Sequence, residues 1–549
     1  MPSDTKEPQS LPLVTETTAM PSDTKEPQSL PLVTETTVMP SDTQGPHSLS
    51  VATESTVVPS DTQRPQSLPL VTETTVVPSD TQGPHSLSVA TESTVVPSDT
   101  QRPHSLSLRQ YKHTNLQFYT TQERPSTSTP RPSLCDVTPR SGGEEFVFLY
   151  PTNKVPSDSH LDLLLASNET GSLTLRGLRG FVCLNYTYTT GSKRIEVPQS
   201  LQLSKEAIEN KAIQVITSND VTLHAMYHDP STIDGFFVLP VRDLSDTYVI
   251  PSFDKNGIFK TFIGVTAVRD STTIQIKLHT DQVYFYDGNA YNDRQTLTIH
   301  LNALEAFELT HTGDVTGTLV KSNYPIAVQA GSQCSSVPVD VGTCNHLQEM
   351  VPPVSRLGSI YIVPPLVSTQ AYFVRVIAAY PMTVVDTKIS DHSEMSGFIL
   401  SEVGDFRNIE VNSPEILFIN SSHPVLVAHY AEGLGRSEPA MTVIPSVHQF
   451  RLDYDITVSD RPGFDNYLSI IIPTNNINDI RINRVNLTSH GYFNVHNGTY
   501  DLLSYIHSSV EVKVVPGVYH VYTEPRTTEF GLIVYGVSNG NAYEYPGGL

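Results

Sequence analysis

KTFIGVTAVRDSTTIQIKL (260–278) decides how this chain folds, because three other stretches can be laid over it. They are HLDLLLASNETGSLTLRG (160–177), AYFVRVIAAYPMTVVDTKI (371–389) and NYLSIIIPTNNINDIRINRV (466–485). Each is an apolar run, a polar turn and then an alternating stretch, and alternation of period two marks a strand with one buried face. Ala166, Ala267, Ala378 and Pro473 fall in one column, roughly 100 residues apart. Each unit also closes alike, in SNDVTLHAMY (218–227), SNYPIAVQAG (322–331), SSHPVLVAHYAEG (421–433) and FGLIVYGVSNG (530–540).

A third signature joins the units. Pro240, Leu244 and Tyr248 read P-x3-L-x3-Y, as do Pro353, Leu357 and Tyr361, while Pro445, Phe450 and Tyr454 repeat it with one inserted residue. In physical terms the Pro starts a turn, the Leu packs beneath it and the Tyr opens the next strand. The spacing predicts an all-β body of four tandem units, about 143–234, 235–349, 350–441 and 442–549. About eight strands per unit suit a two-sheet sandwich. The alternative is two four-stranded blades per unit, an eight-bladed propeller. DGN (287–289) and NG (256–257) are turn candidates, and KEAIENKAI (205–213) is a helix candidate.

Outward from this body, residues 1–134 are of another kind. A 19-residue phrase repeats with its prolines at Pro2, Pro21, Pro40, Pro59, Pro78 and Pro97. So few apolar residues cannot offset the entropy of ordering, and the segment is expected to be disordered. Ser/Thr-rich sequence with Pro is the composition of an O-glycosylated, mucin-like stalk, the alternative being an unmodified spacer. Met1 stands in the slot of Met20 and Met39, and its neighbours lack a signal peptide's basic and apolar regions. The expectation is an internal methionine of a longer array, with a secretion signal upstream.

The 549 residues carry 34 Lys and Arg against 57 Asp and Glu, a formal charge of −23, which argues against a nucleic-acid binder. No apolar run reaches the roughly 18 residues of a membrane span, LSIIIP (468–473) being far too short. Four cysteines in a mucin-like context suggest two disulfides. Cys334 and Cys344 flank a short loop and are paired, which leaves Cys135 with Cys183. A zinc site at Cys334, Cys344 and His346 is the alternative, without CxxC spacing. Sequons for N-glycosylation stand at Asn168, Asn185, Asn420, Asn486 and Asn497.

The usual catalytic signatures do not occur: no G-x-S-x-G, H-E-x-x-H, P-loop or G-x-G-x-x-G. His224, His429 and His448 read as packed or edge residues of strands. Asp453 and Asp455 lie two apart on one strand face, as a solvated pair or, with further oxygens, a calcium site. VRDSTT (268–273) reads as a hairpin turn capped by Asp270. No catalytic residue, metal or cofactor is expected. The loop between Cys334 and Cys344 is the best candidate for a special surface, either a rigid recognition loop or, the reading favoured here, a staple for a loop without its own core.

GDVTGTLVKSNYPIAVQAGSQCSSVPVDVGTCNHLQEMVPPVSRLGSIYIVPPL (313–366) resembles the core of the IgGFc-binding protein N-terminal domain family. VLPVRDLSDTYVIPSF (238–253), VTAVRDSTTIQI (265–276) and the closing YGVSNGNAYEYPGGL (535–549) are similar to it as well, so the resemblance spans about 143–549 of an IgGFc-binding-like domain at 135–549. The family often has Gly where this chain has Ala303 and Leu304, which touches a turn. The resemblance implies a secreted, mucus-associated or cell-surface binding protein without a membrane span, with glycoproteins, mucins and the immunoglobulin Fc region as partners. Two other readings stand beside it: a purely structural mucin-like spacer, and a hydrolase built from scattered His and Asp groups.

Overall fold

The computed structural model describes residues 143–549 apart from short segments at 155–158, 178–179, 181, 230, 254–258, 339–342, 367–370, 391–393, 413, 434–437, 491–492 and 501–504. The repeats at 1–134, Cys135 and the turn candidate at 256–257 lie outside the described residues. Among the described residues the structure is all-β, with antiparallel sheets and short 3-10 turns but no α-helix.

One strand order recurs four times. In the first sandwich one sheet runs Glu145–Phe148, Ile213–Thr217, Gly171–Gly177, Val182–Tyr188, and the facing sheet runs Gly191–Val197, His160–Ser167, Thr222–His228, Ile233–Phe237. In the second, a single 17-residue strand, Leu319–Ser335, serves both sheets. Its first part pairs Thr272–Lys277 and Ser245–Val249, and its second part pairs Thr261–Ala267 and Asn345–Met350. Leu417–Ala431 does the same in the third sandwich. In the fourth the path is again divided, into Gly517–Thr523 and Gly531–Ser538. In the second and third sandwiches the shared strand joins the two halves into sheets of eight and seven strands, not separate four-stranded blades, so the propeller alternative is set aside.

Local chemistry explains the long strands. The ladder with Thr272–Lys277 ends at Ser322 and that with Thr261–Ala267 begins at Ile326, so Asn323, Tyr324 and Pro325 cross between sheets. Pro has no N–H to offer a ladder and fits at such a crossing. Pro424 occupies the corresponding place in the third sandwich, between Ser421 and Val425. The tyrosines of the joining signature are buried pins: the Tyr248 hydroxyl donates to the Ile326 carbonyl at 2.6 Å and that of Tyr454 to Phe530 at 2.8 Å, while that of Tyr361 donates to Val425. The prolines precede 3-10 turns at Val241–Asp243 and Val354–Arg356, as the signature suggests.

KEAIENKAI is not helical. Ile208–Glu209 forms a short strand against Ala306 and Phe307, and the Glu209 carboxylate folds back onto the backbone N–H and hydroxyl of Ser204. A strand edge offered by a distant unit overrides local helix propensity here.

Each sandwich has its own apolar core, and the cores run into one another. Ile377, Leu426 and Met441 of the third join the core of the second, and Leu164, Met226 and Ile233 of the first join that of the fourth. The closing strands, Ile233–Phe237, Asn345–Met350, Ala440–Val443 and Asn541–Pro546, pack in sequence around a centre, the last against the first. The fully buried Asn345 holds this centre. Its Nδ2 lies within hydrogen-bond distance of the carbonyls of Ile233 (2.9 Å), Pro439 (2.8 Å) and Ala542 (2.8 Å), which share its two hydrogens, and its Oδ1 accepts from the N–H of Ile233 at 3.2 Å. One side chain of the second sandwich thereby touches the other three.

Candidate functional site

A cleft of about 710 Å³ opens where the first sandwich meets the fourth. The turn Ala166–Glu169 and the break 218–222 form one wall, with Glu144 and Arg242, and Arg451, Asp453 and Asp455 form the other. The break lines the cleft because the path that stays continuous in the second and third sandwiches is interrupted here by SNDV (218–221). Five carboxylates, Glu144, Glu169, Asp220, Asp453 and Asp455, face two guanidiniums, Arg242 and Arg451, so the cleft is acidic. Burial holds the Glu144 carboxyl above the usual carboxylate range in spite of its ion pair with Arg242, and Asp220 adds to the rise.

Asp453 and Asp455 share a strand face but each has its own partner. Asp453 pairs with Arg526 at 2.5 Å and Asp455 with His520 at 2.7 Å, while the Asn168 amide donates to Asp455. Among the described residues no three His, Cys, Asp or Glu side chains are grouped as they would be to hold a metal ion.

Cys334 and Cys344 form a disulfide with a Cα–Cα distance of 5.2 Å, which excludes the zinc alternative for those thiols. The loop that it closes docks on the third sandwich: the Gly433 N–H donates to the Val337 carbonyl at 2.7 Å. Cys344 immediately precedes Asn345, so the bridge fixes the start of the strand that carries the central amide. Cys183 is disulfide-bonded as well, and its expected partner, Cys135, lies outside the described residues.

Four of the five sequons are exposed. Asn185, Asn486 and Asn497 sit on strands at the edges of their sheets, and Asn168 stands on the rim of the acidic cleft. Asn420 is half-buried beside the hydroxyl of Tyr500.

The histidines go to separate places. His224 is fully buried with Nε2 at 3.1 Å from the Pro546 carbonyl, and burial pushes it down to about 4, so it is neutral with the proton on Nε2. His429 reaches the buried Glu544 carboxylate at 3.1 Å, whereas His448 is exposed in the 3-10 turn Val447–Gln449. The buried polar groups of the centre had no signal in the sequence. Asp234 accepts from the backbone N–H groups of Gln348 and Gly235, and Glu349 accepts from that of Val443. Burial pushes both carboxyls well above the usual range. Asp270 caps a different turn from the one expected, accepting from the N–H of Ala303 at 3.0 Å.

Fold and site together define a scaffold of four fused β-sandwiches with an acidic cleft at one junction. The family model described as IgGFc binding protein matches residues 234–536, and the chain belongs to that family. It is also 21% identical over 426 residues to the IgGFc-binding protein of Homo sapiens, a match covering 73% of this chain and 7% of that protein. No helix among the described residues is long and apolar enough to cross a membrane.

Proposed function

We propose that this chain is an extracellular, non-enzymatic binding and adhesion glycoprotein of mucus or a cell surface. It recognises glycoproteins or immunoglobulin-like partners, the Fc region among them. The observation that carries this reading is the family match over residues 234–536. The Ser/Thr/Pro repeats act as a mucin-like stalk that presents the body, and the disulfide suits an oxidising compartment. The pairing of Cys135 with Cys183 and glycans on the exposed sequons belong to the same reading. The acidic cleft is the recognition site, and it favours a partner with a basic surface.

The test is surface-based binding of the glycosylated full chain to Fc, Fab and purified mucin. Saturable binding that weakens with added salt, and weakens further in Asp220→Lys, supports the proposal. Retention of mucin or Fc binding with no effect of Asp220→Lys removes the cleft and keeps the function. Binding to none of them leaves a structural spacer, and turnover of an ester, peptide or glycoside panel replaces the proposal with a hydrolase.

A further inference from the structure

We propose that the outer edge strand of the third sandwich, Ser396–Leu400, is a self-association surface. A second copy of this chain docks there by laying its own Ser396–Leu400 antiparallel to the first.

The four sandwiches supply their own controls, because each has an edge strand at the same place in its sheet. In the first it is Val182–Tyr188, which carries the exposed sequon Asn185. In the second it is Thr296–Leu301, which alternates cleanly and turns Thr296, Thr298 and His300 to solvent. In the fourth it is the two-residue Val485–Asn486, again with a sequon. Short length, polar side chains and bulky modification are the ways in which proteins blunt an open edge. Ser396–Leu400 carries no sequon and no charge, and Ser396 is its one polar side chain. Ile399 is 57% exposed there, beside Val384 at 43% and Met382 at 62%. Val384 and Ile399 are directly opposed, where the second sandwich opposes Thr273 with His300 and the first opposes Ser172 with Thr187. Two edges with polar pairs, one two-residue edge whose exposed Val485 stands beside a sequon, and one apolar edge without a sequon, in one repeated framework, single out the third sandwich.

Charge and symmetry choose the occupant. The chain carries a formal charge of −23, so two copies repel over most of their surface. The five residues Ser396–Leu400 hold no charge, so an identical strand meets no like charge across the pairing itself. A two-fold axis through Phe398 sets Gly397 opposite Ile399, bulk against space, in both halves of the pairing. Antiparallel pairing requires that axis to stand perpendicular to the sheet, which leaves both Met382–Val384–Ile399 faces on the same side. The result is one continuous sheet with one doubled apolar face, which a foreign strand would not provide.

Sedimentation velocity of the glycosylated full chain tests this. A monomer–dimer equilibrium that tightens as salt screens the shared negative charge is expected. Ile399→Lys, at an exposed position, raises the dimer dissociation constant by about tenfold or more without changing the melting temperature. Thr298→Lys, on the matching edge of the second sandwich, leaves the equilibrium unchanged. A wild-type chain that stays monomeric up to about 100 μM overturns the proposal. So does a dimer that survives Ile399→Lys, or an edge that takes up only a foreign extended peptide.

Discussion

The second and third sandwiches carry one continuous strand through both sheets, whereas the first and fourth break that strand in two. The crossing holds Pro325 in the second and Pro424 in the third, while the first has Asp220 and Val221 in the same stretch. The continuous version leaves no loop at the crossing. The broken version releases Ser218, Asn219 and Asp220, and these line the acidic cleft. One repeated framework thus makes a solid junction or a concave one according to a few residues at one point.

The joints differ in the same sense. Between the second and third sandwiches Arg375 is buried, its Nη1 reaching the Ser252 carbonyl at 2.5 Å and the Asp314 carboxylate at 2.7 Å, with its guanidinium 4.4 Å from the Phe406 ring centre. Between the first and fourth, Asp162 gathers Arg194 at 2.9 Å, His228 at 2.9 Å and Arg461 at 3.5 Å, and both arginines keep partial access to water. Burial would raise the Asp162 carboxyl, but the hydrogen bonds from His228 and Arg194 outweigh it and hold it below its ordinary value.

Removing the shared centre breaks the comparison altogether. Asn345→Leu strands one N–H and three carbonyls contributed by the other three sandwiches, and is expected to cost about 4 kcal/mol or more in urea unfolding. If the centre couples all four, the fall appears as one shifted transition; two separated transitions would mean that the solid and concave joints fold independently.

Arg375→Met addresses the solid joint alone. It removes the guanidinium that pairs with the Asp314 carboxylate and leaves that charge with Thr316 alone, while the Ser252 carbonyl keeps the Thr316 and Tyr430 hydroxyls, for an expected loss of about 3 kcal/mol with the 1–4 cleft unaltered. Thermal melts, together with ligand binding at the cleft, measure the two effects separately.

Glu308 sharpens the comparison through pH. Its side chain is fully buried at the joint between the first and second sandwiches, accepting from the Thr152 N–H at 2.9 Å, and burial pushes it up to about 7. A raised carboxyl contributes stability that is complete below its unfolded value of 4.5 and is lost as pH rises through 7. Glu308→Gln keeps the acceptor and removes the titration, so it is expected to flatten the stability profile across that window and to stabilise the protein at pH 8 by about 2 kcal/mol. An unchanged profile would place the charge elsewhere.

The smallest effect lies at a turn. Ser271 is exposed and holds φ at 58°, in the left-handed region that favours glycine. Ser271→Gly is expected to raise stability by about 1 kcal/mol at most, read as a small rise in melting temperature.

Much of this architecture was legible because its signals are local. The four overlaid stretches became strand–turn–strand segments, and the column of Ala166, Ala267, Ala378 and Pro473 falls at or next to the ends of the strands His160–Ser167, Thr261–Ala267, Tyr372–Ala378 and Asp465–Pro473. The closing strands were not legible. IDGFF, NHLQEM, AMTV and NAYEYP share no pattern, since each is covered by a neighbouring sandwich as well as its own. We propose that each unit ends after its closing strand, which moves the expected boundaries near 234, 349 and 441 a few residues onward. The cleft was hidden for the same reason: Asn168 and Asp455, which meet across it, stand 287 residues apart.

The contact of the last closing strand with the first has a consequence for biosynthesis. Leu164, Met226 and Ile233 of the first sandwich pack into the core of the fourth, so their cover is not complete until Asn541–Pro546 has been made. Between residues 237 and 541 the ribosome adds 304 more, which at about 5–20 residues per second takes roughly 15–60 s. For that interval a nascent chain displays a greasy face that the finished protein hides, and whatever attends its synthesis must tolerate or shelter it.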